Sequence, residues 1–92
     1  MSSDEHRKRE KDKARDLRKS QWWKQKIQRT ACYYCGCDLD STSATMDHVV
    51  PISQGGRSTK GNVVPACKGC NNKKKDLNAV EWQEYLDHLS KT

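Results

Sequence analysis

The sequence predicts a small α+β domain stapled by zinc, with paired strands at its centre and a helix at each end. Three observations predict it. Two C-x-x-C pairs, Cys32/Cys35 and Cys67/Cys70, are separated by 31 residues; short β-branched runs punctuated by glycine lie between them; and both flanks read as helix. With 92 residues, 33% of them hydrophobic and no Phe, the chain is one domain by length and cannot build a large core. A domain of this size needs a metal, disulfides or a partner to stay folded.

The front of the chain sets the charge. Ser2-Ser3-Asp4-Glu5 fits a capping box, with Ser2 as cap and Glu5 three residues on, opening a long polar helix from 3 to about 29. Residues 4–13 contain no apolar side chain, so its first half is expected to bury nothing, with Trp22, Trp23 and Ile27 as anchors near its end. Of the net charge of +6, all lies in residues 1–29, which hold eleven Lys or Arg against five Asp or Glu; residues 30–92 hold seven of each. Clustered cations gain affinity by displacing counterions from nucleic acid, so DNA is the expected partner. Arg7, Lys8, Arg15, Arg18 and Lys19 are the candidates to grip its phosphates without reading bases. A solvated helix or tail is the plainer reading of such a run. A membrane surface would require an apolar face, which is missing. No signal peptide and no apolar run of about 18 residues is present, so the chain is expected to be cytoplasmic. We divide it into a basic helical segment, 1–29, and a metal-bound domain, 30–92.

In a reducing compartment clustered cysteines bind metal more often than each other. Two C-x-x-C turns brought together present four thiolates at the corners of a tetrahedron, the ligand set of structural zinc. Cys37 is left over; Cys35 is preferred as ligand because it completes the x-x spacing, and Gly36 permits the tight turn after it. Free thiols or a rubredoxin-like iron site are the alternatives. Thr45–Val50 and Asn62–Val64 read as strands, joined by about eleven residues marked by Gly55, Gly56 and Gly61. That connection is long for a hairpin, which suggests a role for the loop itself. Asn71–Leu77 reads as a short helix bearing Lys73, Lys74 and Lys75. Asn78 then caps a last helix whose Trp82, Tyr85, Leu86 and Leu89 recur at i, i+3, i+4, i+7, a stripe that belongs in the core.

Asp47-His48 sits inside this frame, a carboxylate beside an imidazole on a strand. Alone, the pair would mean little. Together, Cys32-x-x-Cys35, Asp47-His48, Pro51, Gly55-Gly56, Asn62 and Cys67-x-x-Cys70-Asn71 resemble the HNH endonuclease family from about residue 32 to 75. Many members carry a second His where this chain has Asn71, which makes it an H-N-N variant whose metal site rests on oxygen. The resemblance implies a ββα-metal (His-Me finger) fold: two antiparallel strands, a long loop and a short helix around a divalent ion. It implies His48 as general base, Asp47 and Asn71 as ligands of Mg²⁺ or Mn²⁺, and Asn62 as the residue that pins the loop so that His48 points correctly. The implied reaction is hydrolysis of DNA phosphodiester bonds, expected as nicking.

The residue chemistry agrees. Hard cations prefer oxygen ligands, and an imidazole that titrates near about 6.5 can take a proton from water. Because neighbours on a strand face opposite sides, Asp47 and His48 would reach one phosphate only if the strand end twists or bulges. Asn71 is expected to open its helix, whose N-terminal amides favour phosphate, with Lys73 and Lys74 close by. Asn71 as a plain helix cap, Asn62 as simple turn chemistry and the lysines as a solvated face remain open readings. The competing function is a non-catalytic zinc-containing nucleic-acid-binding module, or a subunit of a phage or restriction complex. Asp47-His48 separates the two, since a binding module needs no base beside a carboxylate. The oligomeric state is not legible from these residues.

Overall fold

The computed structural model describes residues 3–90. Helices α1 (Ser3–Lys19) and α2 (Gln21–Lys26) come first, followed by the small antiparallel pair β1 (Thr30–Ala31) and β2 (Asp38–Leu39). The central hairpin is β3 (Thr45–His48) and β4 (Val63–Ala66), with Thr45 opposite Ala66 and His48 opposite Val63. Helices α3 (Lys68–Asp76) and α4 (Ala79–Ser90) complete the chain. Among the described helices none is long and apolar enough to cross a membrane.

The core is built around cysteine. Cys32, Leu39, Ala66 and Cys70 are buried together, and Tyr34, Ala44, Cys67, Trp82 and Tyr85 pack against them. The apolar stripe of α4 supplies Trp82 and Tyr85, whose rings stack at 5.5 Å, while Tyr34 meets Trp82 edge-on at 5.0 Å. The start of α4 is held as its sequence requires. Asn78 Oδ1 accepts from the Glu81 amide at 2.8 Å, and Glu81 Oε1 accepts from the Asn78 amide at 3.1 Å, a reciprocal cap.

Several boundaries differ from the sequence expectation, each for a local reason. The N-terminal helix is broken at Ser20, whose extended backbone separates α1 from α2. Its hydroxyl donates to Leu17 O at 2.6 Å and accepts from the Trp23 amide at 3.3 Å, so one side chain ends the first helix and caps the second. The expected Ser2 cap lies outside the described residues. Nor is the first half of that segment empty of burial, since Glu10 and Ala14 are only 2% and 3% exposed. Strand β3 stops at His48 because the Asn62 side chain takes over the Val50 backbone, accepting its N–H at 2.9 Å and donating to its carbonyl at 3.1 Å. Strand β4 runs on through Pro65, whose carbonyl accepts from the Tyr33 amide at 2.9 Å; the missing proline N–H falls on that same edge, away from β3, so the β3–β4 ladder loses no bond. Asn71 does not open α3. That helix begins at Lys68 with Cys67 as its cap, the sulfur accepting from the Cys70 amide at 3.3 Å.

The loop over residues 49–62 folds back on itself. A 3₁₀ turn at Ile52–Gln54 ends on Gly55, which has a φ of +87°, open to glycine at little cost. Gly56 then passes so close to the chain that a Cβ would lie 1.8 Å from Val50 O. Gly61 has open space around it. Gly56→Ala should therefore lower stability by about 1–3 kcal/mol or more, whereas Gly61→Ala should stay within about 0.5 kcal/mol of the native chain. Thermal unfolding followed by circular dichroism measures both. Equal melting of the two variants would mean that the tight crossing at Gly56 is absent in solution.

Candidate active site and metal centre

Each C-x-x-C turn is shaped by its own backbone. The Cys35 amide points at Cys32 Sγ at 3.5 Å and the Cys70 amide at Cys67 Sγ at 3.3 Å. Gly36, with φ of +79°, closes the first turn by donating to Cys32 O at 2.9 Å. The sulfurs of Cys32, Cys35, Cys67 and Cys70 all lie within 4.8 Å of one another, and Cys35 and Cys67 are 3.8 Å apart. Tetrahedral coordination with metal–sulfur bonds of roughly 2.3 Å spaces sulfurs by about 3.8 Å, so the four thiols fit one metal ion. Burial opposes ionisation of Cys32, but the backbone groups of Cys35, Cys67 and Tyr34 outweigh it and bring its thiol down to about 6, toward the thiolate a metal needs. Cys37 is exposed and outside this set.

Beyond the metal centre, α3 carries Asn71 and Lys74 across to β3. Lys74 Nζ lies 2.8 Å from Asp47 Oδ2, with the two side chains only 12% and 8% exposed. It also donates to Tyr34 Oη at 3.0 Å and to the His48 carbonyl at 2.5 Å. Tyr34 in turn donates its hydroxyl to Asp47 Oδ2. Burial, then the hydrogen bond to Asp47 and its charge, push the Tyr34 phenol well above its ordinary range, so it stays a donor. Oδ2 of Asp47 is thus saturated, and Oδ1 has no hydrogen-bond partner among the described residues.

Asn71 is oriented by a similar chain of logic. Thr45 Oγ1 donates its proton to Ala66 O at 2.7 Å, so it must accept from Asn71, and it does, from Nδ2 at 3.0 Å. The amide nitrogen is therefore committed to Thr45, which leaves the Asn71 carbonyl oxygen available. Two unpartnered oxygens, Asp47 Oδ1 and Asn71 Oδ1, are a donor set suited to a hard divalent ion.

His48 closes the other side of the site. The β3–β4 register runs unbroken through Asp47 and His48, so of the twist or bulge expected there no bulge is present. Asp47 meets α3, His48 meets the loop, and both line one cleft of about 390 Å³ together with Pro51, Gln54, Asn71 and Lys74. Since the strand ends at His48, the chain turns away there and opens the cleft without a bulge. Burial pushes the imidazole below its usual value despite the neighbouring Asp47 charge, which favours the neutral ring at neutral pH. Asn62 braces the loop from within, its Nδ2 reaching Arg57 O at 2.8 Å as well as Val50.

Helix α1 lies along the same opening. In an open cleft of about 730 Å³, Arg7, Lys8, Lys11, Arg15, Arg18 and Lys75 outnumber Asp4 and Asp12, the latter paired with Arg15 at 3.0 Å, and His48 lies at its wall. Lys19 does not line it, and Lys73 sits over the Tyr85 ring, 5.6 Å from its centroid. Thr45, Tyr34, Ser58, Glu10 and Lys11 were not anticipated as site residues. One signal did exist, because His6, Glu10 and Ala14 recur at i, i+4, i+8 and mark one face of α1.

The family profile for HNH endonuclease matches residues 32–77. Over 64 residues the chain is 36% identical to a CRISPR-associated endonuclease Cas9 of Corynebacterium diphtheriae, and over 59 residues 32% identical to one of Actinomyces naeslundii. These matches cover 66% and 63% of this chain but only 6% and 5% of the relatives. Both relatives thus extend far beyond the shared part.

If the four thiols hold one ion, native mass spectrometry should find one metal per chain, retained by Cys37→Ser and lost from Cys67→Ser. Stripping the metal should abolish the cooperative melt, because metal binding and folding are coupled in a core this small. A cooperative melt that survives metal removal would show that the sulfurs are not the staple.

Proposed function

The chain belongs to the HNH endonuclease family, and from that premise we propose that it is a divalent-metal-dependent endonuclease that hydrolyses DNA phosphodiester bonds by nicking, with His48 as general base. The observation that carries this reading is the shared cleft. An imidazole whose pKa burial lowers, a carboxylate with one open oxygen and an amide with its carbonyl free belong to residues that line one space large enough for a phosphodiester.

In this reading DNA lies across the basic cleft, gripped through its backbone by Arg7, Lys8, Arg15 and Arg18, to which Lys11 and Lys75 are added. Lys19 and Lys73, which do not line this cleft, are not assigned to the grip. His48 takes a proton from the water that attacks phosphorus. Asn62 keeps the loop, and with it the end of β3, in place. Mg²⁺ or Mn²⁺ held by Asp47 and Asn71 would supply stabilisation of the charge gathering on the phosphate and on the leaving 3′ oxygen. Lys74 already neutralises Asp47, so the phosphodiester's own charge is what most favours a second cation there. Zinc is the ion we assign to the four cysteines, whose thiolates suit it and leave no open coordination position.

Plasmid nicking with Mg²⁺ or Mn²⁺ tests the reading. His48→Ala should lose roughly 10²–10⁴-fold in rate, the contribution of a positioned base. Equal cutting by both chains would remove His48 from that role. No cutting by either, with the cysteine site filled, would favour the non-catalytic binding module. For the basic cleft, the Arg15→Ala/Arg18→Ala double variant should lower the slope of log affinity against log salt by about 0.9 for each phosphate that the two arginines no longer neutralise. Deletion of α1 is the wrong test, since it would also remove Glu10 from the loop.

A further inference from the structure

The nuclease reading uses His48 but does not say which ring nitrogen carries the proton, nor what holds the ring. His48 Nε2 lies 2.8 Å from Ser58 Oγ. A serine hydroxyl has one proton to give, and Ser58 has two oxygen or nitrogen neighbours competing for it. The other is the backbone carbonyl of Glu10, 2.5 Å from Oγ. A carbonyl cannot donate, so the Ser58 proton must lie on that bond; otherwise two acceptors would face each other at hydrogen-bond distance in a buried site. Ser58 Oγ is left as an acceptor, and His48 must present Nε2–H to it. The bare lone pair is then on Nδ1, which has no partner among the described residues.

Ser58 is held in turn by α1. Its amide donates to Glu10 Oε1 at 2.7 Å, and the contact keeps the Glu10 carboxyl below its ordinary range. Glu10 and Ser58 are 2% and 6% exposed, so this is an interior clamp rather than a surface contact. One turn earlier His6 Nε2 lies 3.1 Å from Gly56 O, a second tie between the same helix face and the same loop. The carbonyl of a helix residue has a second lone pair beyond its helical bond, which lets Glu10 serve the helix and Ser58 together.

We propose that Ser58, locked by Glu10, is a positioning residue that fixes His48 as the Nε2–H tautomer and so leaves Nδ1 as the atom that accepts the proton from water. The N-terminal helix is thereby part of the catalytic loop as well as a wall of the DNA cleft. This inference rests on the nuclease reading for its catalytic consequence, but the tautomer itself does not depend on that reading.

Long-range ¹H–¹⁵N NMR of the metal-loaded full chain, at a pH where His48 is neutral, reads the tautomer directly. The native chain should show His48 protonated on Nε2. Ser58→Ala should give a mixture of tautomers and lower the nicking kcat on the order of 10- to 100-fold, part of what a positioned base supplies, with KM unchanged. Ser58→Thr, which keeps the hydroxyl, should restore both the single tautomer and most of the rate. Glu10→Gln, which keeps an acceptor for the Ser58 amide, should behave like the native chain, and Glu10→Ala like Ser58→Ala. A native His48 protonated on Nδ1 overturns the proposal, as does a Ser58→Ala chain with unchanged tautomer and kcat. If Ser58→Ala does not fold, the native spectrum alone decides. A native Nε2–H tautomer that Ser58→Ala disturbs, in a chain that nicks no DNA, would uphold the positioning role and remove the nuclease reading instead.

Discussion

Four sulfur atoms stand where a larger domain would have a hydrophobic core. Two of the four residues in the buried cluster are cysteines, and the other two are Leu39 and Ala66, so little apolar surface is available to hold the centre together. The turn at Cys32–Cys35 and the turn at Cys67–Cys70 come from distant parts of the chain, and their sulfurs meet within 4.8 Å. That meeting joins β4 to the start of α3, because Cys67 is both a sulfur donor and the cap of that helix. From there the geometry of a helix places Asn71 and Lys74 on the side that faces β3. The candidate catalytic residues on α3 are thus positioned by the turn that carries two of the four cysteines, and the Asn71 amide itself donates to Cys67 O at 3.0 Å.

Around that centre the remaining order is mostly polar. Lys74, Tyr34 and Asp47 form a compact set in which the ammonium and the phenol both bind one carboxylate oxygen, and the phenol oxygen and two backbone carbonyls share the ammonium's other hydrogens. A buried ion pair is favourable only when its other hydrogen-bonding capacity is met, and here it is. The same economy of partners selects function. Thr45 has one proton, spent on Ala66, and so turns Asn71; Ser58 has one proton, spent on Glu10, and so turns His48. In both cases a hydroxyl with a prior commitment orients the residue beside it.

The loop between β3 and β4 is clamped from two directions. Asn62 ties Val50 to Arg57 from within, and α1 ties Gly56 and Ser58 from outside through His6 and Glu10. A glycine is needed where these clamps draw the chain tightest, at Gly56 beside Val50 O. The length of this connection was readable as a sign that the loop matters, and its brace at Asn62 was readable from the family resemblance. The outer clamp was not, because the one local signal, His6, Glu10 and Ala14 on a single helix face, lies in a stretch with almost no apolar side chain and does not say what that face meets. Glu10 is buried as a charged residue with partners 48 positions away, and no local pattern reports such a distance.

By itself the sequence determined the four-cysteine cluster, the central strand pair and the helices that follow it, the cap at Asn78 and the family, since each rests on spacing or on residue type: x-x between cysteines, 3.6-residue periodicity, and Asp-His, Asn and Cys-x-x-Cys-Asn in succession; the small pair β1 and β2 was not anticipated. It also placed the positive charge in the first 29 residues. Only the tertiary structure decided where α1 breaks, that α3 starts before Asn71, that Asp47 and His48 share a cleft without a bulge, and which atoms of Asp47, Asn71 and His48 stay open. Those outcomes turn on the direction of single hydrogen bonds between residues far apart in the chain. Sequence names the donors and acceptors, but only the folded chain determines which of them meet.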